Sequence, residues 1–103
     1  MKVILERKRS GVYAIGEFDP VSKTMVVKQG ATVSSDIHYT EKFRGARTIE
    51  EFRNKYVVDG KTVMDVSFRS ASTAANFVTG GSTNGLVAWK TEDGKPIREI
   101  LGK

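Results

Sequence analysis

The sequence contains no cysteine and a single histidine, His38. The absence of cysteine excludes a disulfide framework, a thiol nucleophile and a cysteine-bound zinc ion. His38 has no second histidine with which to share a metal ion or a catalytic triad. We therefore favour a solvent-facing loop histidine over a catalytic one, and we expect no cofactor.

Long apolar runs are also missing. No segment approaches the roughly 20 apolar residues of a membrane-spanning helix. The amino terminus is charged too early, at Lys2 and Glu6, to resemble a signal peptide. With 103 residues, 39% of them hydrophobic, the chain can bury one modest core. We expect a single domain over residues 1–103, in a soluble cytoplasmic protein that does not contact membranes.

Basic residues outnumber acidic residues by seventeen to twelve, and the net charge is +5. This excess favours an anionic partner, DNA or RNA, although many soluble domains carry a similar charge without one. The densest basic run is Arg7-Lys8-Arg9, which lies between two predicted strands. We expect an exposed turn there, which either contacts a phosphate backbone or is simply solvated.

Residues 31–45 show neither helical nor strand periodicity, which predicts a long loop. Lys42 and Arg44 extend the basic character into this loop. Phe43 lies between these two basic residues, and Tyr39 precedes them. Both aromatic rings are possible stacking surfaces for unpaired bases, although Phe43 could equally fill the core.

Alternating apolar residues predict strands over residues 3–6 and 11–18, and β-branched residues predict a strand over 24–29 that pairs with the second in a hairpin. Residues 62–68 are predicted to form a strand or an irregular extended segment.

A Thr-x-x-Glu capping box at residues 48–51 predicts a helix over residues 49–56. Ile49, Phe52 and Tyr56 have the spacing of one apolar helix face. The Asp-Gly pair that follows, at residues 59–60, predicts a turn.

The most distinctive pattern begins at Phe68. Ser70 or Ser72 has the chemistry to cap a short helix, and Gly80-Gly81 predicts its end. Arg69 and the two serine hydroxyls, with the free N–H groups at the helix start, could also bind a phosphate. Ordinary helix capping is the alternative and explains the same serines.

Asn84-Gly85 predicts a tight reversal into a strand over residues 86–90, which pairs with 96–101 around an Asp93-Gly94 turn. The expected fold class is α+β: a small antiparallel sheet built from two hairpins, with two short helices packed on one face. The predicted core consists of Trp89, Phe68, Phe77, Phe52, Ile15 and Val26.

Ten residues of this segment fit a known pattern in identity and spacing: Phe68, Ser70, Ser72, Ala74, Ala75, Gly80, Asn84, Gly85, Trp89 and Lys90. The chain resembles, over most of its length, the domain of unknown function family 4357. It departs from that pattern at Ala71, where the family usually has proline.

The resemblance implies an appendage of GIY-YIG nucleases and restriction-modification proteins. Its motif is similar to that of the restriction-enzyme-adenine-methylase-associated module. It also implies nucleic acid as a partner, and a separately encoded nuclease or methylase as a second one.

No catalytic pattern is evident. Glu50 and Glu51 are adjacent on a predicted helix and point in different directions, so they do not form an acid–base pair. Glu92, Asp93 and Lys95 resemble the acidic and lysine residues of metal-dependent nucleases, but they lie in a turn without a third carboxylate. We expect neither catalysis nor a metal site.

The leading hypothesis is a non-catalytic accessory module that binds nucleic acid through phosphate contacts and is associated with nuclease or restriction-modification systems. The alternative is a protein–protein interaction or structural module that binds no nucleic acid. Exposure of the aromatic rings of Tyr39 or Phe43 would favour the alternative.

Overall fold

The computed structural model describes residues 1–34 and 46–102. The fold class is α+β, as predicted. Among the described residues, no helix is long and apolar enough to cross a membrane. The elements in chain order are β1 (Lys2–Arg7), β2 (Val12–Phe18), β3 (Met25–Val27), α1 (Ala46–Tyr56), β4 (Val57–Val58), β5 (Lys61–Thr62), β6 (Val66–Phe68), α2 (Ala71–Thr79), α3 (Gly85–Ala88) and α4 (Ile97–Leu101).

Four strands form an antiparallel sheet in the order β1-β2-β3-β6. The predicted hairpin of β2 and β3 is confirmed. Phe18, Met25 and Phe68 lie opposite one another at one end of the sheet. Arg7 pairs with Val12, so the turn between β1 and β2 lies at the other end.

A second hairpin, β4 and β5, extends from the first sheet. Its two turn residues, Asp59 and Gly60, both have positive φ, which is the backbone conformation of a tight two-residue turn. Thr32, from the beginning of the predicted loop, bridges Tyr13 on one side and Lys61 on the other. The rest of that loop prediction, residues 35–45, lies outside the described residues.

The helices cover the sheet face to which β2 contributes Val12, Ala14, Gly16 and Phe18, all of them buried. A Cβ atom on Gly16 would lie 3.1 Å from the ring of Trp89. The small residues of β2 therefore make room for the largest side chain of the core.

The predicted core is correct for Trp89, Phe68 and Phe77, and Phe52 packs against it partly buried. It is wrong for Ile15 and Val26, which are half-buried on the opposite face of the sheet. β2 carries apolar residues on both faces, and only the packing of the helices decides which face becomes the core.

The predicted final hairpin is also wrong. Residues 86–88 and 97–101 are helical, and the hairpin is reduced to one bridge, between Lys90 and Pro96, around the correctly predicted turn. Asn84 caps α3 by accepting a hydrogen bond from the N–H of Leu86, 3.1 Å away. The single helical turn places Leu86 and Trp89 on the same side, whereas a strand would have separated them.

The predicted helix over residues 49–56 is α1, and it begins earlier, at Ala46. Thr48 therefore lies inside the helix instead of capping it. The predicted apolar face is confirmed: Ile49 is buried, and Phe52 and Tyr56 pack against the core.

Candidate functional site

The basic run Arg7-Lys8-Arg9 begins at the last residue of β1 and continues into the turn before β2, close to where an exposed turn was expected. The turn closes through a hydrogen bond from the N–H of Gly11 to the carbonyl of Lys8, at 3.3 Å. Gly11 has φ +70°, a conformation that glycine adopts without strain. All three basic side chains are exposed, and none forms an ion pair within the described part of the chain.

The start of α2 holds the other predicted contacts, Arg69, Ser70 and Ser72. Ser70 is the N-cap, and its Oγ accepts a hydrogen bond from the N–H of Thr73 at 3.1 Å. The Oγ of Ser72 accepts a hydrogen bond from the N–H of Gly85 at 3.0 Å. Both hydroxyls therefore have structural partners, while the Arg69 side chain is exposed beside them.

Further hydrogen bonds join α2 to the segment that follows it. The indole Nε1–H of Trp89 donates to the carbonyl of Ala71 at 3.0 Å. The side-chain carbonyl of Asn76 accepts from the N–H of Thr83 at 2.8 Å. A Cβ atom on Gly85 would lie 2.2 Å from the carbonyl of Ala71, so only glycine fits there.

The other residues of the ten-residue pattern also have structural positions. Ala74 and Ala75 are fully buried where α2 packs on the sheet, and Gly80 ends α2 in the left-handed conformation, as predicted. Lys90 exchanges two backbone hydrogen bonds with Ile4, at 2.7 and 2.9 Å, while its side chain is exposed.

The sheet separates the two groups of predicted nucleic-acid contacts. The Arg7-Lys8-Arg9 turn lies at one end of β1, and Arg69 follows the opposite end of β6, on the other edge. Six residue steps along β2 and three strand spacings place them roughly 25 Å apart. Lys42 and Arg44, like His38, Tyr39 and Phe43, lie outside the described residues.

Two basic side chains that the sequence did not single out lie at defined positions in the structure. Lys23, in the turn between β2 and β3, lines the same surface cavity as Ser70 and Ser72. Arg53 on α1 donates from its guanidinium to the carbonyls of Phe77 and Ser34, at 2.8 to 2.9 Å. The sequence signal that could have pointed to Arg53 is its position in the last turn of α1, where a basic side chain can bond nearby carbonyl groups.

Other lysines are neutralised by carboxylates. The ammonium of Lys28 lies 2.9 Å from Asp65, and that of Lys2 lies 2.8 Å from Glu92. The hydrogen bond from Lys28 lowers the pKa of Asp65, and the hydrogen bond from Lys2 lowers the pKa of Glu92. These carboxylates are ionised at neutral pH and reduce the positive charge on their part of the surface.

The turn that contains Glu92, Asp93 and Lys95 does not have the environment of a general acid. A hydrogen bond from the Thr91 hydroxyl lowers the pKa of Asp93, and Lys95 lies 3.9 Å from its carboxylate. Within the described residues, no group of three His, Cys, Asp or Glu side chains could hold a metal ion.

A family model described as a domain of unknown function (DUF4357) matches residues 5–101. No match was found among curated proteins or among solved structures. The family match confirms the resemblance to this family. The association with GIY-YIG nucleases and restriction-modification proteins remains a prediction, and so does the similarity of the motif to the restriction-enzyme-adenine-methylase-associated module.

Proposed function

We propose, from the premise that the chain belongs to the DUF4357 family of domains of unknown function, that it is a non-catalytic accessory module that binds nucleic acid through phosphate contacts. Its partner enzyme would be a separately encoded nuclease or methylase in the cytoplasm.

The observation that supports this proposal is the Arg7-Lys8-Arg9 turn. Three adjacent cations are exposed there, with no ion pair among the described residues, while Lys2 and Lys28 elsewhere are paired with carboxylates. When an unpaired cation binds a phosphate, it displaces the counterions of the nucleic-acid backbone, and no ion pair within the protein has to break first. Arg69 offers a second contact at the opposite end of the sheet.

The test is fluorescence anisotropy of labelled duplex DNA, single-stranded DNA and RNA between about 50 and 200 mM salt. Three phosphate contacts predict a loss of duplex affinity of about 40-fold over this range, from a slope of roughly 0.9 per contact. When Arg7, Lys8 and Arg9 are changed together to Gln, this loss of affinity with rising salt is expected to disappear.

A matched control changes Lys2, Lys28 and Lys95 to Gln, which alters the net charge equally but removes cations that lie near carboxylates. If both triple variants weaken binding to the same extent, the turn is not the contact. If no nucleic acid binds at the lowest salt, the proposal is refuted.

The second candidate function is protein–protein interaction. Ile4, Ile15 and Val26 are half-buried on the sheet face opposite the helices, next to the exposed ring of Tyr13. Binding of a co-purified nuclease or methylase that persists at high salt, and is lost in Tyr13→Ser and Ile15→Ser variants, would favour this function.

A further inference from the structure

A cavity of about 290 Å³ opens between α1, α2 and the end of β6. Its apolar lining comes from two buried side chains and one that is partly exposed: Ile49, Phe68 and Phe52. Its polar lining consists of Thr48, Ser67, Arg69, Thr73 and Asn76. This volume lies at the lower end of the range for small-molecule sites and suits a group the size of one nucleotide.

The Phe52 ring packs against two other aromatic rings, which hold it in position. Its centroid lies 5.1 Å from that of Phe68 and 6.4 Å from that of Phe77. Its exposed part lines the cavity. Because every nucleobase has a π-face, a rigid and partly exposed phenylalanine is a surface on which an unpaired base can stack.

The polar side chains of the cavity present donors and no negative charge. Arg69 is exposed and has no ion pair among the described residues. The Oδ1 of Asn76 is held by the N–H of Thr83 at 2.8 Å, which leaves its amide N–H groups available as donors. None of the described residues that line the cavity is acidic. A ligand with a flat ring, an acceptor edge and an anionic group matches this arrangement.

We propose that the cavity binds one unpaired nucleotide of a single strand. Its base lies against Phe52, an acceptor of the base edge receives a hydrogen bond from Asn76, and its phosphate pairs with Arg69. This inference rests on the proposed nucleic-acid binding and adds a preference to it. A base inside a duplex is stacked and paired, so it cannot enter the cavity, and single strands should bind more tightly than duplexes.

The experiment compares binding of labelled single-stranded dT8 with binding of a longer blunt-ended duplex of mixed sequence that stays paired at the same low, fixed salt. Phe52→Leu keeps an apolar side chain but removes the ring, and is expected to weaken dT8 binding about tenfold and leave duplex binding unchanged. Arg69→Gln should also weaken dT8 binding. Its matched control is Arg98→Gln, another exposed arginine, which should have little effect.

Phe52 also packs against the core, so a second variant protects the test from a folding defect. Thr48→Met places a longer side chain without a ring at the exposed rim of the cavity and removes no core ring. It should weaken dT8 binding as Phe52→Leu does. The melting temperature of each variant confirms that it is folded under the conditions of the assay.

The outcomes separate this inference from the proposed function. If folded Phe52→Leu and Thr48→Met bind dT8 like the unchanged protein, while neutralising Arg7, Lys8 and Arg9 weakens binding, the cavity inference is wrong and the proposed function stands. If dT8, the duplex and the labelled RNA all fail to bind, both are wrong. Binding of the peptide Gly-Gly-Phe in place of dT8 would overturn the inference and assign the cavity to the end of a protein chain.

Discussion

Replacing Gly85 by alanine tests how α3 is held on α2. The added Cβ would lie 2.2 Å from the carbonyl carbon and oxygen of Ala71 and 2.4 Å from the backbone nitrogen of Ser72. These are backbone atoms in the first turn of a helix, so no side-chain rotation relieves the overlap. α3 therefore has to move away from α2. Two hydrogen bonds are then lost or stretched: the one from the N–H of Gly85 to the Ser72 hydroxyl and the one from the Trp89 indole to the carbonyl of Ala71.

The expected loss of stability follows from these contacts. Overpacking costs about 1 to 3 kcal/mol, and each of two lost hydrogen bonds costs about 1 kcal/mol. We expect Gly85→Ala to lower the free energy of unfolding by at least about 3 kcal/mol, out of the roughly 5 to 15 kcal/mol typical of a domain. This corresponds to a fall in Tm of about 12 to 24 °C. Circular dichroism during thermal unfolding, with urea unfolding beside it, measures both quantities.

The same substitution at two other glycines provides controls. At Gly11 no heavy atom lies within 4 Å of the added Cβ, so only the left-handed backbone is penalised, by about 1 to 2 kcal/mol. At Gly16 the nearest atom is the flexible Sδ of Met25 at 2.7 Å, so the loss should be smaller than at Gly85. If Gly85→Ala is no less stable than Gly11→Ala, the steric argument is refuted.

Two further predictions concern charged side chains. Arg53→Lys keeps the charge but loses the guanidinium that donates hydrogen bonds to the carbonyls at the end of α2. The free energy of unfolding, measured with urea, should therefore fall by about 2 kcal/mol. Unchanged stability would mean that the guanidinium is not needed there. The pKa of Asp65 is lowered in the folded state by Lys28, so its contribution to stability is present above its unfolded pKa and is lost as the pH falls through the lower, folded pKa. Tm should therefore fall less below about pH 4 in Asp65→Asn than in the unchanged protein, and parallel Tm curves would contradict this.

Local signals predicted local structure well. Ser70 and Gly80 begin and end α2 because an oxygen acceptor and a left-handed glycine are needed at those positions, whatever lies around them. The Asp59-Gly60 turn is correct for a similar reason. The error at residues 86–88 arose because Asn-Gly suits a hairpin turn as well as a helix cap, and the position of Trp89 under α2 decides between them. The four-residue spacing of Ile97 and Leu101 is itself typical of a helix, which agrees with α4.

The arrangement of the candidate site could not be predicted from the sequence. The strand order places Arg69 and the Arg7 turn at opposite ends of the sheet, and strand order depends on pairing between distant residues. The cavity beside Phe52 depends in the same way on how α1 packs against α2. A pattern of single residues contains no information on such distances.

The hydrogen bonds among Ser72, Gly85, Trp89 and Ala71 bear on how relatives of this protein are recognised. The Ser72 hydroxyl, the Trp89 indole and the missing side chain of Gly85 hold α3 against α2 in the joint between these two helices, and this role does not depend on any ligand. Membership of the family therefore reports a shared architecture. Divergence in binding among relatives should be sought outside the joint, in turns such as that at Arg7 and in the side chains around Phe52, where substitution leaves the scaffold intact.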